Sequence, residues 1–478
     1  MRRLRQLAER TPPGRDRYVD LLRALAIAMV VLGHWGVTVI GHEHGRPSGH
    51  SALADLPWAW PLTWVAQVMP VFFLVGGYAN AASLTARRAR GGTATGWLVD
   101  RSARLVRPTT ALLLVLAAGA TVATLRGADP TQVRTVVWFA TIPLWFLVAY
   151  FVVVALTPPM YALHRRFGLA VPVALAGLVA LGDLGRLLGP AVLADGNYLF
   201  AWLAVHQLGF AWYDASRLDA RSTGTAGPDP RHAAERTGLR RRRLPLSRRA
   251  GATLVAVGLA ALVLLTVVGP YPVAMLHVAG EKLDNAAPPS VALLAAATTQ
   301  LGLILLLRGP AGRLLRRSGA WQAVIAVNAV VLTVFLWHLT AAVLLVGLLD
   351  ALGVLPTPPV GSATWWAWRI PWLAALAVVL TALVAVFGPI EARTRRVSGP
   401  PGRPGSRPGG GGRAGAYGPT ATALAVAGYA ALVAGLLLNS LAPKTAPEPL
   451  GLPAPALVAY LAGAGLLRLL RSGWGSRG

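Results

Sequence analysis

The first apolar block of the chain holds the residues whose types and spacing are best suited to chemistry. Arg23 and His34 are eleven positions apart in RYVDLLRALAIAMVVLGHW. In a helix they fall within about 20° of each other on one face, roughly 16 Å apart along the axis. Asp20 lies three residues before Arg23, on nearly the same face, where the two side chains can pair. Histidine can act as a general base near neutral pH, whereas arginine stays protonated and suits phosphate. Spacing alone leaves open a second interpretation, in which Arg23 snorkels to lipid headgroups and His34 only marks the outer end of the helix.

The elements that must position these residues are long apolar blocks. The chain has 478 residues, of which 55% are hydrophobic and 13% are charged, whereas soluble proteins carry about 25% charged residues. A bilayer core about 30 Å thick needs roughly 20 apolar residues in a helix. The sequence therefore predicts an all-α, polytopic integral membrane protein. Twelve candidate spans are Val19–Ile40, Leu62–Leu84, Thr109–Leu125, Val136–Leu156, Leu169–Leu188, Tyr198–Trp212, Ala250–Val268, Val291–Leu307, Gln322–Leu349, Trp368–Phe387, Ala421–Leu441 and Ala456–Leu470.

The loops between these blocks alternate in arginine content. The basic segments are the amino-terminal arm, Arg87–Arg107, His164–Arg166, Ser216–Arg249, Arg308–Arg317, Arg393–Arg413 and Arg468–Arg477. The arginine-poor segments are His42–Pro61, Arg126–Arg134, Pro190–Asn197, Tyr271–Pro289, Asp350–Trp366 and Ala442–Pro455. The positive-inside rule then predicts twelve spans with both termini in the cytoplasm, in the inner (plasma) membrane.

Composition excludes several classes of function. The 45 Lys and Arg against 18 Asp and Glu give a net charge of +27. These arginines fall between apolar blocks, where they set membrane orientation, so nucleic-acid binding is not expected. The chain has no cysteine, which excludes disulfides, thiolate catalysis and cysteine-ligated metals.

The predicted domain organisation has a membrane core and an appendix. Residues 1–18 form a basic arm, and residues 19–390 form a ten-helix core that includes the basic loop 216–249. Residues 391–418 form a Gly/Pro/Arg linker, which composition predicts to be flexible. Residues 419–478 form a two-helix carboxy-terminal appendix.

Five segments in order resemble the acyltransferase-3 family of integral membrane acyltransferases. The first helix carries the family's pattern of Arg, ten residues and His at Arg23 and His34. The cytoplasmic R-x-x-R-x-x-P pattern is carried by Arg104, Arg107 and Pro108. The other three segments are MPVFFLVGGYANA (Met69–Ala81), PLWFLVAYF (Pro143–Phe151) and VFLWHLTA (Val334–Ala341). The chain departs from the family where Gly76 replaces a serine and Leu336 replaces a tyrosine.

The resemblance implies transfer of an acyl group, often acetyl, from cytoplasmic acyl-CoA to a hydroxyl of a cell-surface or lipid-linked carbohydrate or a glycosylated metabolite. His34 is then expected to be the catalytic base, or to carry a transient acyl group. Arg23 and Asp20, a charged pair near the cytoplasmic entrance, are expected to be catalytic residues with it. Arg104 and Arg107 are expected to bind CoA phosphates, with Arg101 a weaker candidate. A thioester is already activated, so acyl-CoA is expected as co-substrate and no bound cofactor or metal is required.

Other polar residues at membrane depth are candidates for substrate contact, namely His206, Gln207, Trp337 and His338. Each could instead be a packing residue, because buried polar groups also hold helices together. Tryptophans at the predicted outer surface are typical of an interfacial belt, although some could stack on a sugar ring; they are Trp58, Trp60, Trp64, Trp365, Trp366 and Trp368. The functional alternative for the whole chain is a transporter or flippase that exports a glycolipid or an acylated metabolite.

Overall fold

The computed structural model describes residues 15–43, 46–222, 244–281, 283–396 and 417–473. Most residues in these ranges are helical, and their one sheet is a two-stranded β-hairpin. The short helical turns are left out of the numbering that follows. The helices are α1 (Arg17–Val37), α2 (Met69–Ala89), α3 (Ala94–Leu125), α4 (Pro130–Thr141), α5 (Leu144–Phe167), α6 (Ala170–Leu188), α7 (Asn197–Ser222), α8 (Arg248–Val263), α9 (Val291–Leu314), α10 (Ser318–Ala329), α11 (Val331–Ala351), α12 (Ala363–Arg396), α13 (Pro419–Leu441) and α14 (Ala454–Arg471). The hairpin pairs β1 (Thr38–Glu43) with β2 (Arg46–Ser51) directly after α1. The basic arm before residue 15, the run Arg240–Arg243 and linker residues 397–416 lie outside the described residues.

Eleven segments of the described chain are long and apolar enough to cross a membrane, and they match eleven of the twelve predicted blocks. The exception is Tyr198–Trp212 on α7. This helix has 26 residues, yet it is less apolar because its middle carries polar side chains. Residues such as Trp202, His206 and Trp212 are almost completely buried. Since other helices surround this part of α7, it has no need of the apolar outer face that lipid requires.

Three of the predicted spans are broken, so the prediction of one continuous helix is wrong at each place. In Leu62–Leu84 a short helix, Thr63–Ala66, ends at Gln67, and α2 begins at Met69. Val136–Leu156 divides between α4 and α5 at Pro143, which cannot donate a backbone hydrogen bond. Gln322–Leu349 divides between α10 and α11 at Val330, although no Pro or Gly marks the break in the sequence. There the Glu391 carboxylate of α12 accepts the backbone N–H groups of Leu332 and Thr333, the latter at 2.9 Å. The Glu391 side chain thus pairs with backbone amides at the start of α11 that have no partner within the helix.

Contacts between helix ends and loops show which connecting segments lie at the same end of the bundle. We call the end where α1 begins the arginine-rich end and the end where α1 finishes the arginine-poor end. At the arginine-rich end Arg17 Nη1 donates to the Leu315 carbonyl at 3.2 Å. At the opposite end Trp64 Nε1 donates to the Val273 carbonyl at 2.8 Å, and other loops of the arginine-poor set meet in the same way. The alternation of arginine content therefore matches the two ends, while the cytoplasmic location of the arginine-rich end stays a prediction.

The two carboxy-terminal helices pack tightly on the core. Helices α13 and α14 pack against each other, α13 packs on α5 and α14 packs on α3. Tyr429 donates its hydroxyl to the Leu98 carbonyl at 3.0 Å, and Tyr460 donates to the Val106 carbonyl at 3.1 Å. Both tyrosines are buried. The appendix is therefore a docked part of the helical bundle in the described structure.

Arg134 of α4 is the strongest link between core and appendix. Its side chain is fully buried, and it donates hydrogen bonds to Pro443 O, Asn439 Oδ1, Asn439 O, Ala442 O and Gly451 O at 3.0–3.3 Å. These acceptors include carbonyls at the end of α13, which have no partner within the helix. Burial lowers the pKa of the Arg134 guanidinium, and the nearby Glu448 carboxylate opposes that shift. The guanidinium still stays protonated, because its ordinary pKa is far above neutral.

We expect Arg134→Met to loosen the appendix by roughly 3 kcal/mol or more, because several buried carbonyls lose their donor at once. A protease site inserted into linker 397–416 makes the effect measurable. After cleavage, the wild-type appendix should co-purify with the core, whereas the Arg134→Met appendix should separate. Arg126→Met, at an exposed arginine of the same end, is the matched control. Retention of the appendix in both variants would show that Arg134 is not the link.

Candidate active site

Helices α1 and α11 bring two of the predicted site residues together at membrane depth. The His34 and His338 rings meet edge to face, with centroids 5.1 Å apart and planes at 87°. His338 is fully buried, whereas His34 is partly exposed. The buried Trp35 donates its indole N–H to the His338 carbonyl at 2.9 Å, which pins α1 against α11. Residues 304 positions apart in sequence therefore form one histidine pair.

A hydrogen bond fixes the tautomer of His338. Its Nδ1 lies 2.6 Å from the Phe335 carbonyl oxygen, and a carbonyl can only accept, so Nδ1 carries the proton. In the neutral ring Nε2 is then an acceptor. This Nε2 is buried, and within the described part of the chain it has no hydrogen-bond partner. A free acceptor therefore lies beside His34, where it can receive a hydrogen bond or a proton from a bound molecule.

The charged residues at the start of α1 lie far from the histidine pair. Asp20 is 5% exposed and pairs with Arg23 at 3.3 Å, as the spacing predicts, and also with Arg15. Its backbone carbonyl accepts a hydrogen bond from Asn328 Nδ2 at 2.9 Å. About 16 Å of helix separates Arg23 from His34. The structure therefore does not bring Asp20 or Arg23 into contact with the predicted catalytic base.

A line of aromatic rings connects the histidine pair to helix α3. Phe335 contacts His338 at 6.1 Å and Phe146 at 5.4 Å between ring centroids. Phe146 stacks on Tyr150 at 5.5 Å, and the Tyr150 hydroxyl accepts from Arg101 Nη2 at 3.2 Å. Arg101 thus points into the bundle. The sequence favoured Arg104 and Arg107 over Arg101, because only those two arginines carry the family motif. The contact with Tyr150, on another helix, could not be seen in it.

The two arginines favoured by the sequence face outward. Arg104 and Arg107 are both exposed on α3, near the arginine-rich end. With Arg101 they occupy every third position of the helix, so the three side chains fan from the bundle interior to its surface. Arg104 and Arg107 therefore present their guanidinium groups at the surface of the bundle, and Arg101 presents its guanidinium group to the interior.

His206 and Gln207 hold α7 against its neighbours. His206 Nε2 lies 3.1 Å from Asn80 Nδ2 of α2, and Gln207 Nε2 donates to the Met160 carbonyl of α5 at 3.0 Å. Both residues are fully buried. These contacts are those of packing residues, and the predicted substrate contact stays a prediction.

Trp337, the other predicted substrate contact, is enclosed by protein. Its ring stacks on Phe387 of α12 at 3.9 Å with planes 9° apart, and the residue is 1% exposed. Stacking on a ligand would require Phe387 to move away. In this conformation Trp337 therefore holds α11 against α12.

Glycines allow α2 and α7 to cross in close contact. A Cβ at Gly77 would lie 2.1 Å from the His206 carbonyl oxygen, and one at Gly209 would lie 2.2 Å from the Leu74 carbonyl oxygen. Both distances are far below van der Waals contact, so only glycine fits. At Gly76 a Cβ would lie 3.1 Å from Tyr150 Cε2, so the family's serine would require Tyr150 to shift. The close crossing thus sets the position of His206 on α7, and the absence of a side chain at Gly76 leaves room for Tyr150 of α5.

We expect Gly77→Ala to destabilise the purified protein by about 1–3 kcal/mol, because the added methyl group forces the two backbones apart. Gly119→Ala is the matched control, since a Cβ there meets nothing within 4 Å. Thermal unfolding in detergent should give a lower Tm for Gly77→Ala and an unchanged or slightly higher Tm for Gly119→Ala. Equal melting of both variants would contradict the close crossing.

The comparisons with known proteins bear on the whole core. Residues 16–388 match the acyltransferase-3 family, whose matched region is described as an acyltransferase domain. No curated protein and no solved structure matches the chain. The matched region covers well over half of the sequence and includes both members of the histidine pair. The chain therefore belongs to the acyltransferase-3 family and is a multi-pass membrane acyltransferase.

Proposed function

We propose that the enzyme transfers an acyl group, expected to be acetyl, from acyl-CoA to a hydroxyl of a cell-surface or lipid-linked carbohydrate or a glycosylated metabolite. The observation that carries the proposal is the histidine pair, in which the partly exposed His34 lies beside the free acceptor of His338. Neutral imidazoles are suited to accept the proton of a hydroxyl as it attacks. Family membership favours this enzyme over the exporter that the sequence left as an alternative.

The transfer step follows from those two rings. The acceptor hydroxyl oxygen attacks the thioester carbonyl carbon while His34 takes the hydroxyl proton. The new C–O bond forms, the C–S bond breaks, and His34 returns the proton to the sulfur of the departing CoA. His338 Nε2 accepts a hydrogen bond from His34 or from the hydroxyl, because its own proton is held on Nδ1 by Phe335. Burial in an apolar environment excludes the water that would hydrolyse the thioester.

The second route open to His34 is a transient acyl-histidine. His34 then attacks the thioester first, CoA leaves, and the acceptor hydroxyl takes the acyl group from the ring. The two routes differ in their kinetics. Direct transfer requires both substrates to be bound together, whereas the acyl-histidine route allows CoA to leave before the acceptor binds.

The donor is proposed to enter at the arginine-rich end. Coenzyme A carries several phosphates, and Arg101, Arg104 and Arg107 present guanidinium groups from the interior to the surface of α3. The long pantetheine arm separates these phosphates from the thioester. The rings of Phe146 and Phe335 lie between Arg101 and the histidine pair, which suits an arm that is largely uncharged.

We expect His34→Ala to lower acylation at least 100-fold, because a positioned general base contributes roughly 10² to 10⁴ in rate. A deletion strain is complemented with wild type, His34→Ala, His50→Ala or empty vector, and envelope glycans, glycolipids and secreted metabolites are compared by mass spectrometry. His50 is the control, since it is exposed in the hairpin and pairs with Asp55. Wild type and His50→Ala should restore an acyl-sized mass that His34→Ala does not.

The same strains decide against the proposal if the outcome differs. Equal acylation by His34→Ala and wild type, at equal membrane levels, would remove His34 from the chemistry. An unacylated product that accumulates inside the cell and is exported equally by both constructs would support the exporter.

We expect Arg101→Gln to weaken acetyl-CoA binding at least tenfold, because one charge-assisted hydrogen bond to phosphate contributes about 1.5–3 kcal/mol. The double variant Arg104→Gln/Arg107→Gln should weaken binding further. Isothermal titration of the purified protein measures both. Arg90→Gln, at an exposed arginine of the same end, should bind acetyl-CoA like wild type. Wild-type affinity in Arg101→Gln would place the donor phosphates elsewhere.

A further inference from the structure

A pocket at the arginine-poor end lies next to the turn of α1 that follows His34. Its lining includes Val39 and Ile40 of β1, Trp365, Trp368, Arg369 and Trp372 of α12, and two prolines of the preceding loop. Thr38 joins the pocket to the histidine pair: its hydroxyl donates to the His34 carbonyl at 2.5 Å, and its own carbonyl accepts from Arg369 Nη1 at 3.1 Å. His34 and Thr38 are four positions apart, which is a rise of only about 6 Å along a helix. A molecule in this pocket is therefore close to the candidate base.

The pocket residues carry several hydrogen-bond donors that have no acceptor. Trp365 Nε1, Trp372 Nε1 and Arg369 Nε are all buried, and within the described residues none has a partner. Trp365 is 2% exposed and Trp372 is 8% exposed. Buried polar groups in proteins are nearly always paired, and an unpaired one costs about 1–3 kcal/mol. Since all three groups are donors, a ligand that satisfies them must supply oxygen acceptors.

Arg369 also lacks a counter-ion in the described part of the chain. Its guanidinium lies 4.4 Å above the Trp365 ring and donates a hydrogen bond to the neutral Thr38 carbonyl. Asp350 at the same end binds His42 at 3.0 Å instead. A cation on a membrane-spanning helix is costly without a partner. The charge of Arg369 therefore favours an anionic ligand.

The indole rings add a surface suited to sugars. Trp368 is 41% exposed beside the pocket, and the C–H faces of a pyranose ring pack well on an indole. An interfacial belt alone explains the exposed ring of Trp368. It does not explain why two buried indole N–H groups and a buried guanidinium N–H without an acceptor come together at one pocket.

We propose that this pocket binds an anionic group, phosphate or carboxylate, of the carbohydrate acceptor, and so presents a hydroxyl of the adjoining sugar to His34. The proposal rests on the proposed function and names the class of acceptor: a charged saccharide. Donor and acceptor would then enter from opposite ends of the bundle and meet at the histidine pair.

The test uses the purified full-length protein in nanodiscs of zwitterionic lipid. Binding of glucose 1-phosphate, glucuronate and uncharged glucose is measured by saturation-transfer NMR. Wild type should bind both charged sugars at least tenfold more tightly than glucose. Arg369→Gln should remove this preference, Arg369→Lys should keep part of it, and Arg126→Gln, at an exposed arginine of the same end, should change nothing. Trp368→Leu, a variant of an exposed side chain, should weaken all three sugars alike.

Other outcomes overturn the proposal. These are equal binding of glucose and glucose 1-phosphate, or an unchanged preference in a folded Arg369→Gln protein. A phospholipid retained by wild type but not by Arg369→Gln in native mass spectrometry, without sugar binding, would assign the pocket to a lipid headgroup. Acetyl-CoA binding and acyl transfer on the same preparations keep the two proposals apart. If the wild type transfers acyl groups but does not prefer charged sugars, only the pocket proposal is overturned. If the wild type binds charged sugars but transfers no acyl group, only the proposed function is overturned.

Discussion

Polar groups buried in this helical bundle find little water, so most of them must be satisfied by another part of the protein. Glu391 satisfies the first amides of α11, Arg134 satisfies the carbonyls at the end of α13, and Gln300 donates to the Trp64 and Gln67 carbonyls. Each pairing joins elements that are distant in sequence. The packing of the bundle therefore depends on a small set of long-range hydrogen bonds rather than on apolar contact alone.

That same constraint gives meaning to the exceptions. Among the buried polar atoms of the described residues that have no partner are His338 Nε2 and the three donors around Arg369. One exception is an acceptor and the other is a group of donors with a positive charge. His338 contacts the His34 ring, and Arg369 is linked to the His34 backbone through Thr38. In the reaction proposed above, the acceptor would take a proton and the donors would hold an oxygen-rich molecule.

Sequence predicted the features that depend on local periodicity and order. The spans, the alternation of loops and the Asp20–Arg23 pair all follow from spacing along one segment. The family followed from five motifs in order, and the match over residues 16–388 confirms it. The break at Val330 could not be predicted, because the carboxylate that permits it lies 58 positions or more away.

Other features depended on partners that no local pattern reveals. The inward direction of Arg101 depends on Tyr150, and the docking of the appendix depends on Arg134. His34 and His338 were each visible as histidines in apolar segments, but their contact across more than 300 residues was not.

Helix α12 fixes the separation of two contacts that lie at opposite ends of the bundle. Arg369 contacts the end of α1 at one end of the bundle, and Glu391 caps α11 at the other. Twenty-two residues separate them, which is about 33 Å of helix and close to the thickness of the bilayer core. Adding one residue between them would rotate one contact by about 100° relative to the other. An insertion or deletion between Arg369 and Glu391 should therefore be far less well tolerated than a substitution, because most of the side chains between them only face lipid or pack.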